Sequence, residues 1–421
     1  MAQKATLSKE EIERFSRQLL LSPIRTEGQV KLRNASVLIV GMGGLGSPAA
    51  LYLAAAGIGR LGLLDYDNVE ASNLQRQIVH CEDSVGEDKA LSAANAVRKL
   101  SSLVAVEPLS LVLDASNAIE VLERFDVILD ASDNVATRYL LSDACILLGK
   151  PLVSGSALRM EGQLTVYNHN GGPCYRCIFP TPPPPETVTN CSDGGVLGVG
   201  EEKSMHFNAN LTIQQKVTGI IGCFQALEAI KIITGMEASY SQKLMLFDAV
   251  SGSMRVVKLR GRRPDCAICG NEPTITDLID YVQFCGANAT DKAITRYLLT
   301  ESERISPRAY HDIQTSGTPH VLLDVRDKMQ YDIAYLPGSI NVPWSALPRR
   351  LGEVLDLIGK REEGGEKREE EVLPVYVLCR LGNDSQLAVK LLQASGVDRV
   401  WDVEGGLHEW AETVDSGFPK Y

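Results

Sequence analysis

At 421 residues the chain exceeds what one hydrophobic core ordinarily organises, and two or three units of domain size are expected. Hydrophobic residues make up 44% and charged residues 23%, the composition of a globular protein rather than a disordered one, and no apolar run is expected to approach the ~20 residues of a membrane span. A formal net charge of -11 argues against broad nucleic-acid binding, and the opening Met1-Ala2-Gln3-Lys4 has no apolar signal core. A cytoplasmic protein with no direct nucleic-acid or membrane partner is expected.

The first third alternates short apolar runs with helical stretches. Residues 37–40, 61–64 and 127–129 read as strands and residues 47–56 and 87–100 as helices, the βαβ rhythm of a mostly parallel, doubly wound α/β sheet. Between the first strand and helix lies Gly41-Met42-Gly43-Gly44-Leu45-Gly46, placed as a nucleotide-binding loop requires. The same turn would suit a dehydrogenase, and Asp65 suits a ribose hydroxyl in either case. The readings part at Asp65-Tyr66-Asp67-Asn68-Val69-Glu70 and Ser72-Asn73-Leu74-Gln75-Arg76-Gln77. A dinucleotide needs no arginine there, whereas a triphosphate needs several cations and a metal. Arg76 and Lys89 supply positive charge, and Asp133, within Asp130-Ala131-Ser132-Asp133-Asn134 at a strand's carboxyl end, is suited to Mg²⁺.

The middle of the chain carries two Cys-x-x-Cys pairs, Cys174/Cys177 and Cys266/Cys269. In a reducing compartment such pairs suggest metal or redox chemistry. Four thiolates would close a tetrahedral zinc site with no open position, but the pairs lie too far apart in the sequence for spacing alone to join them. A redox dithiol and unrelated thiols stay open. The run Pro182-Pro183-Pro184-Pro185 makes residues 181–200 an exposed, partly extended loop. Cys191 lies in that loop, where a thiol near a helix start can attack an acyl group. Helical character returns over residues 225–233, followed by strands at 244–247 and 255–259. Cys81, Cys145, Cys223 and Cys285 read as structural, and residues 271–303 as connector.

A second, smaller α/β pattern begins near Val321-Leu322-Leu323-Asp324-Val325, interrupted by the charged, solvated loop of residues 360–371. Val375-Tyr376-Val377-Leu378 then leads into Cys379-Arg380-Leu381-Gly382-Asn383-Asp384-Ser385 and another helix. This sets one thiol among backbone N–H groups at a helix N-terminus, where Arg380 and the helix dipole favour thiolate or persulfide. Asp324 and Arg326 are expected to stabilise the fold.

These pieces carry two resemblances. Residues 10–270 resemble the ubiquitin-activating superfamily, especially its MoeB/ThiF-type adenylyltransferases, through Arg14-Phe15-Ser16-Arg17-Gln18, the glycine turn, the 65–77 block, Lys89 and Asp133-Asn134. The resemblance implies ATP contacts from Gly44, Asp65, Ser72, Asn73, Leu74, Gln75, Arg76, Lys89 and Asn134, with Asp133 holding magnesium. It implies a homodimer in which Arg17 reaches the neighbour's site, and one structural zinc joining Cys174, Cys177, Cys266 and Cys269. It further implies a ubiquitin-like sulfur-carrier protein whose C-terminal Gly-Gly carboxylate attacks the α-phosphorus of ATP, and a Cys191 that takes the carrier as a thioester or attacks a later intermediate. The chain departs from the pattern in a polar insertion over about residues 199–215 and in lacking the usual proline.

Residues 304–421 resemble a rhodanese domain, through Leu323-Asp324-Val325-Arg326-Asp327, Tyr335-Leu336-Pro337-Gly338-Ser339-Ile340-Asn341-Val342-Pro343, the Cys379 loop and Gly405-Gly406-Leu407-His408-Glu409-Trp410. The whole chain resembles eukaryotic fused adenylyltransferase-sulfurtransferases of tRNA thiolation and molybdenum cofactor synthesis. The organisation implied is an adenylyltransferase domain with a zinc site over 1–272, a linker over 273–303 and a rhodanese-like domain over 304–421. Cys379 would receive sulfur from a cysteine desulfurase or another sulfurtransferase and deliver it to the adenylated carrier, giving a thiocarboxylate. Three alternatives remain: an activator using only a thioester, with a docking rhodanese domain; an NAD-binding dehydrogenase; and a zinc scaffold.

Overall fold

A computed structural model describes residues 6–158, 160–183, 211–286, 297–359 and 373–420. The chain divides into two compact units, Met1–Lys292 and Ala293–Tyr421. Expectations for Cys191, the proline-run loop beyond residue 183, the polar insertion up to residue 210 and the charged 360–371 loop lie outside the described residues.

In the first unit the described residues form an eight-stranded sheet, ordered β3 (Ala105–Leu109), β2 (Arg60–Leu64), β1 (Ser36–Val40), β4 (Val127–Asp130), β5 (Leu152–Leu158), β6 (Glu161–Tyr167), β7 (Lys243–Asp248), β8 (Ser253–Lys258). The first five pair in parallel and the last three antiparallel. Val37, Leu38 and Ile39 are fully buried, as a central parallel strand covered on both faces requires. Pro108 is accommodated because β3 is an edge strand. The sheet order reverses beside β1, with β2 on one side and β4 on the other. In such sheets the crevice at the carboxyl ends of these strands is where ligands bind.

Two helices fix that crevice. Gly46–Ala56 follows the glycine turn and ends on Gly57, which is in the left-handed conformation. Leu211–Thr234 crosses close by: a Cβ on Gly222 would lie 2.1 Å from the Leu45 carbonyl oxygen. Its stretch Val217–Thr234 is long and apolar enough to cross a membrane by length and composition, which corrects the expectation that no apolar run approaches that length. Glu228 is fully buried and paired with Lys231 at 2.7 Å, and the helix packs on Gly155 and Gly162 of the sheet, so it serves as a core helix.

Part of the expected connector also belongs to this core. Tyr281–Cys285 forms a helix with Tyr281 and Cys285 buried, and Tyr281 donates from its hydroxyl to Asp143 Oδ2 at 2.8 Å. Five helical residues are too few to display a 3.6-residue period.

In the second unit the described residues form a parallel five-stranded sheet ordered β11 (Ser339–Asn341), β10 (Val321–Asp324), β12 (Val375–Leu378), β13 (Val400–Val403), β9 (Arg304–Ile305). Asp324 and Arg326 form a buried pair, with Arg326 Nε 2.9 Å from Asp324 Oδ1, in the structural role expected of them.

Candidate active sites

The glycine turn leaves the carboxyl end of β1 against the end of β4. Gly41 has φ +99°, and a Cβ there would lie 2.7 Å from the Ala131 carbonyl oxygen. A Cβ on Gly46 would lie 1.9 Å from the Gly41 carbonyl oxygen, and one on Gly44 would lie 2.7 Å from Thr218 Oγ1. These positions exclude side chains by contact as well as by conformation. Asp65 then locks the turn: Oδ2 accepts from the Met42 N–H at 2.7 Å and Oδ1 from the Asp67 N–H at 2.9 Å. Burial pushes the Asp65 carboxyl up, against the Lys89 charge and these two N–H groups.

On the other side of the same residue, buried His80 brings Nε2 to 3.1 Å from the Met42 carbonyl oxygen and Nδ1 to 2.9 Å from Ser92 Oγ. A carbonyl can only accept, so Nε2 carries the hydrogen and Nδ1 accepts from Ser92. Burial holds the imidazole below its ordinary value, which keeps it neutral. Met42 is thereby gripped at both its N–H and its C=O.

The polar block divides into anchors and groups at the mouth. Asn73 is buried, donates to Glu70 at 3.1 Å and accepts from Gln77 at 2.6 Å. Lys89 is buried at the start of the helix Lys89–Leu100 and pairs with Asp67 at 3.0 Å. Ser72 and Gln75 are exposed, whereas Leu74 and Arg76 are half-buried, and Arg76 donates to the Ser72 carbonyl at 3.3 Å. Asp133 is exposed, and Asn134 caps the helix Val135–Leu147 by accepting the Thr137 N–H at 3.1 Å. In the N-terminal helix Lys9–Leu19, Phe15 is buried against Gly57 and Gln18 donates to the Ala56 carbonyl, while Arg17 stays exposed.

Sequence reasoning missed the centre of this crevice. Asp130, fully buried at the end of β4, takes Arg138 Nε at 3.0 Å and Ser154 Oγ at 2.7 Å on Oδ2, and Ser132 on Oδ1. Gln225 donates to the Asp130 carbonyl at 2.6 Å. A cavity of about 130 Å³ opens beside Arg138, lined by Ser154, Ser156, Gln163, Thr165 and Tyr167 among others. The partners come from four separate elements, so no local pattern marks them. The Asp67–Lys89 pair and His80 were missed for the same reason.

The two cysteine pairs meet. Sγ separations are 3.7 Å for Cys174–Cys177, 3.5 Å for Cys174–Cys266, 3.3 Å for Cys177–Cys269 and 3.5 Å for Cys174–Cys269, and all four residues are buried. These edges approximate those of a tetrahedron around an ion with ~2.3 Å metal–sulfur bonds, so the donor set fits a metal. They exceed a disulfide bond by more than an ångström. Arg176, between the first two cysteines, is buried in an ion pair with Asp143 and stacks over Phe284 at 4.4 Å. The knuckle is thus tied to the helix Tyr281–Cys285.

In the second unit Cys379 directly follows β12 and is buried. The Gly382 N–H donates to its sulfur at 3.1 Å, and Ser385 Oγ lies 3.3 Å away. Gly382 has φ +76°, and a Cβ there would lie 2.7 Å from Gly405 N. Gly406 packs on the Cys379 carbonyl oxygen, which also accepts the Leu407 N–H at 3.0 Å. The Gly405-Gly406 pair therefore seats the loop. One expectation is corrected here: burial pushes the Cys379 thiol up rather than down, with Ser385 and the loop N–H groups acting in the opposite direction. The resting group is a thiol held by donors that suit an anion.

With this geometry in view, comparison with known proteins is direct. Residues 15–268 match the ThiF family and residues 306–413 the rhodanese-like domain. The chain is 53% identical to "Adenylyltransferase and sulfurtransferase MOCS3" of Sus scrofa over 99% of this chain and 89% of that protein. It is 51% identical to the proteins of the same name from Mus musculus, over 100% and 90%, and Anopheles gambiae, over 99% and 90%. The chain belongs to this family. It is an adenylyltransferase and sulfurtransferase, with a ThiF-type and a rhodanese-type unit on one chain. Among solved structures, E. coli MccB with MccA-N7isoASN superposes at a TM-score of 0.50 with 24% identity, covering 61% of this chain and 75% of that one. E. coli MccB with ATP does so at 0.50 and 22%, covering 62% and 74%. This likeness shows a shared fold over that share of the chain.

Proposed function

We propose that the chain adenylates the C-terminal glycine of a ubiquitin-like sulfur-carrier protein and then places sulfur on it as a thiocarboxylate, for tRNA wobble-uridine thiolation and molybdopterin synthesis. The observation carrying this reading is the coexistence of two sites on one chain: a glycine turn backed by Asp65 and Lys89, and a cysteine sulfur facing backbone donors.

In the first unit ATP lies over the glycine turn with its phosphates toward Asn73, Arg76 and Lys89. Ser72, Leu74, Gln75 and Asn134 line the nucleotide, and Asp133 holds Mg²⁺ at the exposed mouth. The carrier's carboxylate attacks the α-phosphorus and pyrophosphate leaves, so the protein's part is position and positive charge. The cavity beside Arg138, about 130 Å³ and lined by both polar and apolar side chains, would take part of an extended Gly-Gly tail. In a homodimer the exposed Arg17 would complete the neighbour's site.

Cys379 takes sulfane sulfur from a cysteine desulfurase or another sulfurtransferase, and its persulfide displaces AMP to give an acyl-disulfide. Reduction, in which Cys191 is a candidate, releases the thiocarboxylate. Zn²⁺ held by Cys174, Cys177, Cys266 and Cys269 would have a closed, structural role. A cytoplasmic setting, where thiols are kept reduced, suits this cysteine cluster. The test is carrier-dependent ATP–pyrophosphate exchange, which Asp133→Ala should lower on the order of 100-fold without loss of fold. Undiminished exchange would remove Asp133 from the mechanism.

A further inference from the structure

Three carbonyl oxygens of the Cys379 loop are held by donors that lie outside it. The first turn of the helix Gly406–Thr413 supplies two of them: the Leu407 N–H donates to the Cys379 carbonyl and the His408 N–H to the Arg380 carbonyl, each at 3.0 Å. A helix leaves the N–H groups of its first turn without an internal acceptor, so both are free to take these carbonyls. The third donor is Gln386, fully buried in the helix Asp384–Ala394. Its Nε2 donates to the Gly382 carbonyl at 2.6 Å, while its Oε1 accepts the Leu298 N–H at 3.0 Å. The close approach of the helix Gly406–Thr413 depends on Gly406. It has φ +59°, and a Cβ there would lie 2.3 Å from the Cys379 carbonyl oxygen and 2.9 Å from that of Arg380.

The loop peptides are trans, so each N–H points opposite to the C=O of its own peptide. With the Arg380 carbonyl turned to the helix, the Leu381 N–H faces the other way, and it favours the ionised sulfur. The next N–H, that of Gly382, donates to the Cys379 sulfur at 3.1 Å, and the carbonyl of the same residue is fixed by Gln386. Gripping the carbonyls from outside leaves the N–H groups to the sulfur.

We propose that Gly406 and Gln386 are positioning residues for sulfur transfer at Cys379: they keep the loop carbonyls turned away, so that the loop N–H groups converge on the thiolate and on the persulfide that follows it. The inference rests on Cys379 as the sulfur acceptor. A carbonyl oxygen facing a sulfur anion would repel it, whereas an N–H stabilises it and favours ionisation. When thiosulfate is the donor, the thiol proton goes to solvent and the thiolate attacks the outer sulfur. The new S–S bond forms as the donor's S–S bond breaks, sulfite leaves with the bonding pair, and Cys379–S–S⁻ remains.

The experiment uses the full chain and reads Cys379 by peptide mass spectrometry. Iodoacetamide labelling across pH gives the midpoint of thiol ionisation, and thiosulfate loading at pH 7 gives the rate of sulfur uptake. Gly406→Ala and Gln386→Met should each raise the labelling midpoint by about one pH unit and slow loading on the order of 10-fold. The charged groups in and around the loop, Arg380, Asp384, Lys390, Asp402, His408 and Glu409, are kept in every variant, so a moved midpoint reports on the N–H groups. Gly317→Ala is the control, because Gly317 has φ +73° but nothing within 4 Å of its Cβ. It strains the second unit without pressing on the loop, and its midpoint should stay at the wild-type value. Unmoved midpoints in folded Gly406→Ala and Gln386→Met, or an equal shift in Gly317→Ala, would overturn the positioning role. Midpoints that move as expected in a wild type and variants that take no sulfur would instead overturn Cys379 as the sulfur acceptor.

Discussion

The glycine turn and the cysteine loop share one local plan, a buried parallel strand that ends in a tight turn and feeds a helix, yet they aim their polar groups differently. At the glycine turn the Met42 backbone is gripped by Asp65 and His80 from outside the loop, while Asp133 and Arg76 stand at the mouth. At the cysteine loop the Gly382 N–H and the Ser385 hydroxyl converge on a buried sulfur within the loop itself. The first arrangement suits a large anionic ligand that brings its own reacting groups, and the second an atom that belongs to the protein. Strand-turn-helix topology supplies position, and the side chains facing the turn decide the chemistry.

The comparison breaks first, and most severely, at the four cysteines. Structural zinc contributes on the order of 10 kcal/mol of apparent binding free energy to folding. Chelation, or Cys266→Ser, should therefore unfold the first unit and abolish adenylation, while Cys379 still takes sulfur. Metal analysis should find about one ion per chain, and a metal-free preparation of full thermal stability would contradict this.

Next in size is Gly46→Ala, whose Cβ would press on the Gly41 backbone at 1.9 Å and should cost roughly 4 kcal/mol or more. Gly219→Ala, with nothing within 4 Å of its Cβ, should change stability by no more than ~1 kcal/mol, in the stabilising direction. Thermal unfolding of the two variants checks the contrast.

Lys89→Ala sharpens the division of labour. Pyrophosphate exchange should fall on the order of 100- to 1,000-fold, while sulfur loading on Cys379 stays at the wild-type rate. Parallel losses in both assays would mean that the variant damages more than the nucleotide site.

The smallest effect concerns pH. Folding raises Asp402 from 3.8 to about 6, so the stability carried by its protonated form is complete below about pH 4 and lost as pH rises through about 6. Wild type should thus lose of order 2 kcal/mol relative to Asp402→Asn across that window. All three tryptophans, Trp344, Trp401 and Trp410, lie in the second unit, so urea unfolding followed by tryptophan fluorescence isolates the change. A pH-independent difference would place Asp402 outside this titration.

What was legible in the sequence was local. Val37-Leu38-Ile39-Val40 before the glycine turn, and Val375-Tyr376-Val377-Leu378 before Cys379, announce buried strands because their apolar runs are contiguous. What stayed hidden is assembled from distant elements: Asp130 meets Arg138 and Ser154, and Asp402 meets Arg304. The union of the cysteine pairs came from family resemblance rather than spacing. The direction of the Cys379 shift was misread because loop donors are visible in the sequence, whereas the burial that outweighs them is not.

The central claim is that one chain carries two separable chemistries joined by the carrier. The most direct test is mass spectrometry of a Gly-Gly-tailed ubiquitin-like carrier after a single turnover with ATP and thiosulfate. Wild type should yield adenylate and then thiocarboxylate, whereas Cys379→Ala should stop at the adenylate with no sulfur gained. A normal yield of thiocarboxylate from Cys379→Ala would contradict the account, leaving the second unit without a part in sulfur transfer.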